Sequence, residues 1–321
     1  MQWVERIGRR IKLRDLHLLE AAAQSGSLAK AAKSQGMSQP AVSQAISEME
    51  KSLGVSLLDR TPQGVVPTAF GHALLKRSVV IFNELRGGLS EIESLADPTS
   101  GELRLGTPQP MLAVTSAVID RMSQRYPRMT FHLAVESTHN LVRDLRDRAL
   151  ELVISRMLVP FTEDDLSVDV LFHDELAIMA GKDNPWTRRR VVKLEQLVHE
   201  RWVLPPPDGW LHPLMQKAFG GHGLAVPRAT VSTLSTYAVS MLVAQGPFLT
   251  IHPETMLRVS KDHRMMRALP VALPDTRTPV GLVSLKNHAL SPVARLFVDT
   301  ARAVVKELLG AQPERRRPKS R

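Results

Sequence analysis

The chain has 321 residues, no cysteine and a formal net charge of +10, with 43% apolar and 4% aromatic residues. That length exceeds one ordinary core and implies two or more domains. The lack of cysteine excludes disulfides, thiolate metal sites and thiol-based redox sensing together. No eighteen-residue apolar run exists, and Met1 to Arg10 lacks the apolar core of a secretion signal. The expectation is a cytoplasmic protein with no membrane partner.

The charge is unevenly placed. Residues 1–12 carry +3 and residues 311–321 carry +4, so most of the surplus sits in two terminal segments. These read as a basic N-terminal extension and a solvated, disordered basic tail; trapping of DNA by the tail is the competing reading. Residues 13–60 are neutral, with five basic and five acidic groups.

Ser27 begins the first strong pattern, as the N-cap of a helix from Leu28 to about Ser34. Gly36 suits the left-handed residue of a sharp turn between helices. Ser38 is a second N-cap, and Pro40 falls in the first turn of a helix, where no amide bond is lost. Val42, Ile46, Met49 and Leu53 recur at helical spacing and mark its buried face. The opposite face carries Gln39, Ser43, Gln44 and Ser47, groups that can bond base edges or phosphates. A surface helical hairpin would share this pattern. Two short apolar runs around Pro62-Gln63-Gly64 then read as a β-wing, with Arg60 at its base within reach of phosphate.

This stretch resembles the N-terminal part of the LysR-type transcriptional regulators, over Leu13 to about Leu95. The resemblance is carried by Leu16, Leu19, Ser25-Gly-Ser27, Ala31-Ala32, Ser38-Gln-Pro-Ala-Val-Ser43, Ile46, Leu53-Gly54, Leu57-Leu-Asp-Arg60, Pro67-Thr68 and Gly71. It implies a winged helix-turn-helix over 13–67, with DNA-contacting roles for Gln39, Pro40, Ser43, Gln44 and Arg60. Ser27, Ser38 and Ser47 complete the candidate set. Gln35 and Met49 stand where the family usually has leucine, and Leu58 where an aromatic is common. These departures bear on packing and leave the groove-facing side intact.

Residues 68–96 read as one long linker helix. Leu75, Ser78, Phe82, Leu85, Leu89 and Ile92 alternate at steps of three and four, a coiled-coil seam. Leu75, Phe82, Leu85, Leu89 and Ile92 are the candidate dimerisation residues; packing on the helix's own domain is the competing reading. Residues 97–100 break the helix and form a hinge.

From residue 101 to 310 the pattern is α/β. Strands at 102–106, 130–135 and 151–154 alternate with helices at 111–125 and 140–148, which implies a parallel sheet. A second unit opens near Asp174 with the strand 175–180. The chain returns to the first at the Leu269–Leu273 segment, and a strand at 280–284 and a helix at 292–309 close it. The expected fold class is a two-lobed α/β effector domain, preceded by an all-α winged helix-turn-helix domain and the linker helix. Lobe I takes 101–173 and 268–310, and lobe II takes 174–267. This order resembles the effector-binding domain of the same family, itself similar to periplasmic binding proteins.

Strand ends nominate Thr107, Gln109, Ser137, Thr138, Ser155 and Arg156 as ligand-binding residues. Arg156 suits a small carboxylate, which guanidinium binds in a fork. Pro206 and the Thr233–Thr236 segment, Thr233 first, are the candidates from lobe II. Against these stand helix capping by Thr107 and Thr138 and an ordinary surface charge at Arg156. The eleven histidines show no metal-ligand spacing, and no nucleophile elbow, phosphate loop or dinucleotide fingerprint occurs. Neither a cofactor nor a catalytic residue is expected. The pattern implies a ligand-responsive regulator that binds promoter DNA and senses a small molecule, with an organic acid as the candidate effector. The resemblance implies homodimers and homotetramers, with RNA polymerase as a further partner. An enzyme on a two-lobed fold and an architectural DNA protein without effector are the rival classes.

Overall fold

The computed structural model describes residues 11–97, 99–157, 164–209, 211–259 and 265–310. Most of the basic extension, residues 1–10, and the tail at 311–321 lie outside them. The chain divides into two compact units, one up to Gly88 and one from Leu89.

The first unit opens with α1 (Leu13–Ser25), α2 (Leu28–Ser34) and α3 (Gln39–Leu53). Ser27 caps α2 by accepting from the Lys30 amide, and Ser38 caps α3 by accepting from the Ala41 amide. Gly36 has a φ of 62°, the left-handed conformation that the turn requires. Leu16, Leu19, Ala22, Ala32, Val42, Ile46 and Met49 form one buried core among the three helices. Ile11, within the expected N-terminal extension, packs on that core. The wing is the antiparallel hairpin β1 (Leu58–Thr61) and β2 (Gly64–Pro67), in register from Leu58 opposite Pro67 to Thr61 opposite Gly64.

Helix α4 (Ala69–Ala96) follows, with Thr68 accepting from the Gly71 amide at its start. Its apolar seam is divided. Leu75 and Phe82 pack on the core of the first unit, whereas Leu85, Leu89 and Ile92 are exposed. After α4 the Asp97 carboxylate accepts from the amide and hydroxyl of Thr99 and pairs with Arg128 at 2.6 Å. The expected hinge is therefore a side-chain-fastened turn, and its strand begins at Ser100.

The second unit holds two five-stranded sheets. The first comprises β3 (Ser100–Thr107), β4 (Arg128–Val135), β5 (Leu152–Arg156), β6 (Leu166–Asp174) and β12 (Thr278–Leu285), in the order β4-β3-β5-β12-β6. Strands β3, β4 and β5 pair in parallel, as the alternation with α5 (Leu112–Arg125) and α6 (Thr138–Arg146) requires. Strand β12 is antiparallel to both β5 and β6, so the three parallel strands form part of a mixed sheet. Helices α5 and α10 (Pro292–Gly310) bury Val118, Met122, Phe297 and Ala301 against one face, and α6 buries Leu141 and Leu145 against the other.

The second sheet comprises β7 (Leu176–Gly181), β8 (Arg201–Leu204), β9 (Ala229–Ser232), β10 (Phe248–Pro253) and β11 (Met266–Ala268), in the order β11-β7-β10-β8-β9. Helix α7 (His212–Gly220) covers one face through Leu214, Met215 and Phe219. Helix α8 (Thr236–Gln245) covers the other through Val239 and Val243, and a short α9 (Thr255–Val259) follows β10. Leu269, Val271 and Leu273 pack in the core of this lobe. The return to lobe I thus falls at residues 274–277, several residues beyond its expected place.

Candidate DNA reader and interlobe site

Helix α3 is a polar face held by an apolar one. With Val42, Ile46 and Met49 buried, Gln39, Pro40, Gln44 and Ser47 are exposed and Ser43 is half-buried. The wing is clasped to this helix. Arg60 donates to the Ser43 hydroxyl at 3.0 Å, which sets its guanidinium beside the polar face. Glu50, not singled out in the sequence, accepts from the Leu57 and Leu58 amides at 2.7 and 3.1 Å and ties the helix to the wing. Gln44 donates to Glu48 one turn on, at 2.9 Å, so its side chain lies along the exposed face. Ser27 and Ser38 keep their acceptor lone pairs on helix amides; each hydroxyl hydrogen remains a donor.

The ligand candidates divide more sharply. Thr107 is fully buried, donating to the Ile154 carbonyl at 3.1 Å and accepting from Thr115 at 2.9 Å. Its hydroxyl serves the junction of β3, β5 and α5, which corrects its expected place on an open crevice. Ser155 is also fully buried, within 3.0 Å of the Thr138 hydroxyl. Ser137 caps α6 by accepting from the Asn140 amide. Gln109 reaches the other lobe: its side-chain oxygen accepts from the Thr236 amide, the first residue of α8, at 3.1 Å. The Thr236 hydroxyl beside it is shielded from solvent and meets no partner among the described residues. In lobe II, the Pro206 carbonyl accepts from Gly209, and the Thr233 hydroxyl accepts from the Ser235 amide ahead of α8.

Arg156 is the main correction. Its guanidinium pairs with Asp174 at 2.6 Å, with both side chains about 3% exposed, and also bonds Thr278. The forked carboxylate partner is thus the protein's own, and the arginine is closed to a ligand in that role. Asp174 uses its second oxygen to accept from the Thr255 amide, at the start of α9. Burial pushes the Asp174 carboxyl up from its ordinary value, against the pull of Arg156 and Thr255. Burial likewise lowers the Arg156 guanidinium. A hydrogen bond from the Leu176 amide to Thr276 joins the two strands of chain that pass between the lobes. The sequence offered no sign of this cluster, because its members lie up to 122 residues apart.

A capped reader helix with a clasped wing, ahead of a two-lobed α/β domain, defines a DNA-binding regulator with a ligand-sensing module. Residues 13–72 match the bacterial regulatory helix-turn-helix proteins of the lysR family, and residues 96–306 match the LysR substrate binding domain. The chain belongs to the LysR family of transcriptional regulators, which bind DNA through the helix-turn-helix and respond to small molecules through the second domain. It is 26% identical over 296 residues to the HTH-type transcriptional regulator GbpR of Azospirillum brasilense, covering 92% of this chain and 86% of that protein. It is 27% identical over 293 residues to the HTH-type transcriptional regulator TdcA of Escherichia coli, covering 91% and 92%. Among solved structures, full-length CbnR complexed with its target DNA aligns with a TM-score of 0.69 at 21% identity, over 92% of this chain and all of that one.

Proposed function

We propose that α3 reads a pseudo-palindromic promoter site through Gln39, Pro40, Ser43, Gln44 and Ser47, with Arg60, Ser27 and Ser38 on the backbone. The observation that carries this reading is the Arg60–Ser43 bond, which aligns the wing's cation with the polar face of a rigidly packed helix. Two copies joined through Leu85, Leu89 and Ile92 would present two such helices to a two-fold site. Dimers of dimers and a meeting with RNA polymerase complete the reading; its place is the cytoplasm. No helix among the described residues is long and apolar enough to cross a membrane. The chain acts by binding and not by turnover.

The effector proposed is a small organic acid held between the lobes, near Gln109, Ser137, Thr138, Pro206 and Thr233. With Arg156 engaged by Asp174, its carboxylate would be met by amides at the start of α8, where the helix dipole favours an anion. Gln109 supplies the acceptor oxygen there in this structure. Gel shifts on DNA selected from a random pool test the reader. Loss of a bidentate glutamine contact is worth about 1–3 kcal/mol, so Gln44→Ala is expected to weaken selected DNA about 5- to 150-fold. Full affinity in Gln44→Ala and Arg60→Ala would overturn the assignment. Mass spectrometry of small molecules carried through native purification identifies the effector.

A further inference from the structure

Arg188-Arg189-Arg190 lies between β7 and β8, and neither the reader nor the interlobe contacts use it. The segment is fastened at both ends. Before it, the Asn184 side chain accepts from the Trp186 amide at 3.1 Å, and Thr187 donates to the Asn184 carbonyl at 2.7 Å. Trp186 packs on the core of lobe II. After it, Val192 and Leu194 are buried in the same core. The Arg189 guanidinium lies over the Trp186 ring, 5.4 Å from its centre, so its stem direction is set by a cation–π contact. All three arginines are exposed, and among the described residues no carboxylate lies within ion-pair distance of any of them. Exposed Lys182 and Lys193 flank the run, against Asp183 and Glu195 nearby in sequence.

Three exposed guanidiniums without an ion-pair partner among the described residues concentrate positive potential on one ordered strap, which a repeating anion matches. Guanidinium forks onto phosphate oxygens, and little loop ordering remains to oppose binding when the strap's backbone is already fixed. The choice among anionic partners is decided by the reader's own charge. Residues 13–60 are neutral, so the helix-turn-helix and wing bring no surplus of cations to a backbone whose affinity depends on them. We propose that Arg188, Arg189 and Arg190 form a second, sequence-independent contact with the phosphate backbone of duplex DNA. This rests on the DNA-binding reading of the chain but on none of the base-reading residues of α3.

The test uses the full chain and a fluorescent random-sequence duplex of about 40 base pairs, with affinity followed over about 50–300 mM potassium chloride. Neutralising three phosphates contributes about 2.7 to the log–log salt slope, so Arg188→Ala, Arg189→Ala and Arg190→Ala together are expected to reduce the slope by about 2–3. The corresponding triple change to lysine is expected to keep it, since the charge is retained. The same loss is expected in a chain ended after Gly310, which separates the strap from the basic tail. An unchanged slope in the triple alanine variant overturns the proposal and leaves an acidic protein surface as the partner of the strap. A loss of slope caused wholly by the tail overturns it as well. Gln44→Ala distinguishes the two readings: it is expected to lower preference for selected over random DNA while leaving the random-duplex slope in place. Failure of the unaltered chain to bind either duplex overturns both.

Discussion

Gly64 stands at the start of the returning wing strand with a φ of +135°, where a Cβ would lie 2.1 Å from the Gly26 carbonyl oxygen. That same carbonyl accepts from the Val65 amide at 3.0 Å, so the wing is seated on the turn between α1 and α2 by its backbone. Gly64→Ala is expected to cost about 1–3 kcal/mol from backbone conformation alone, with the clash added to it. A thermal melt of the full chain measures this, and an unchanged midpoint would show that the wing is not seated there. A second residue-scale effect lies at Glu151, whose carboxylate accepts from the Ser291 amide and hydroxyl ahead of α10. Burial raises its pKa against those hydrogen bonds, with His288 lowering and Glu91 raising it further. A folded-state value above the unfolded one gives stability that is full below the unfolded value and lost as pH rises through the folded one. The unaltered chain is therefore expected to lose stability relative to Glu151→Gln as pH rises above the ordinary glutamate range. Urea midpoints measured over that rise in pH would show a widening gap, and parallel curves would refute the raised value.

At the scale of elements, Asp174 serves both lobes, one oxygen on Arg156 at the end of β5 and the other on the start of α9. Removing one partner of a buried pair strands the other charge, so Asp174→Ala is expected to destabilise by about 3–5 kcal/mol. Arg156→Met with Asp174→Leu is expected to recover much of that loss, because no charge is left buried. Denaturant unfolding of the single and double variants decides the point; equal losses would mean that the Thr255 and Thr278 contacts dominate. Why such a cluster escapes a sequence reading is physical. Helix caps, helical periodicity and the Pro62-Gln63-Gly64 turn are local, and Ser27, Ser38, Gly36 and the α3 faces were legible from neighbours within a few residues. The first three strands of lobe I were legible through their alternation with helices. Strand β6 was not: its Leu166, Val168, Val170 and Phe172 include an exposed Val170, and its pairing with β12 spans more than a hundred residues. The strand-end rule located Arg156 but carried no information about Asp174, which neutralises it.

At the scale of the molecule, the seam of α4 joins local packing to assembly. Its first half is satisfied within the chain, since Leu75 and Phe82 complete the reader's core. Its second half is not: Leu85, Leu89, Ile92 and Leu95 are 48%, 57%, 65% and 70% exposed. At about 25 cal/mol per Å² of apolar surface, such a stripe is costly in water and gains by meeting a second copy of itself. Leu89→Glu with Ile92→Glu is expected to shift the sedimenting species to a smaller assembly, in a concentration-dependent way. Because neither side chain is in the reader's core, the unfolding midpoint of the first unit is expected to hold. The paired variant is also expected to lose affinity for a two-half-site duplex while keeping its affinity for one half-site, because only the former needs two readers joined. Equal loss on both duplexes would place these leucine and isoleucine side chains in the reader's own stability. Unchanged mass would move the assembly to another surface and leave the exposed stripe to some other partner.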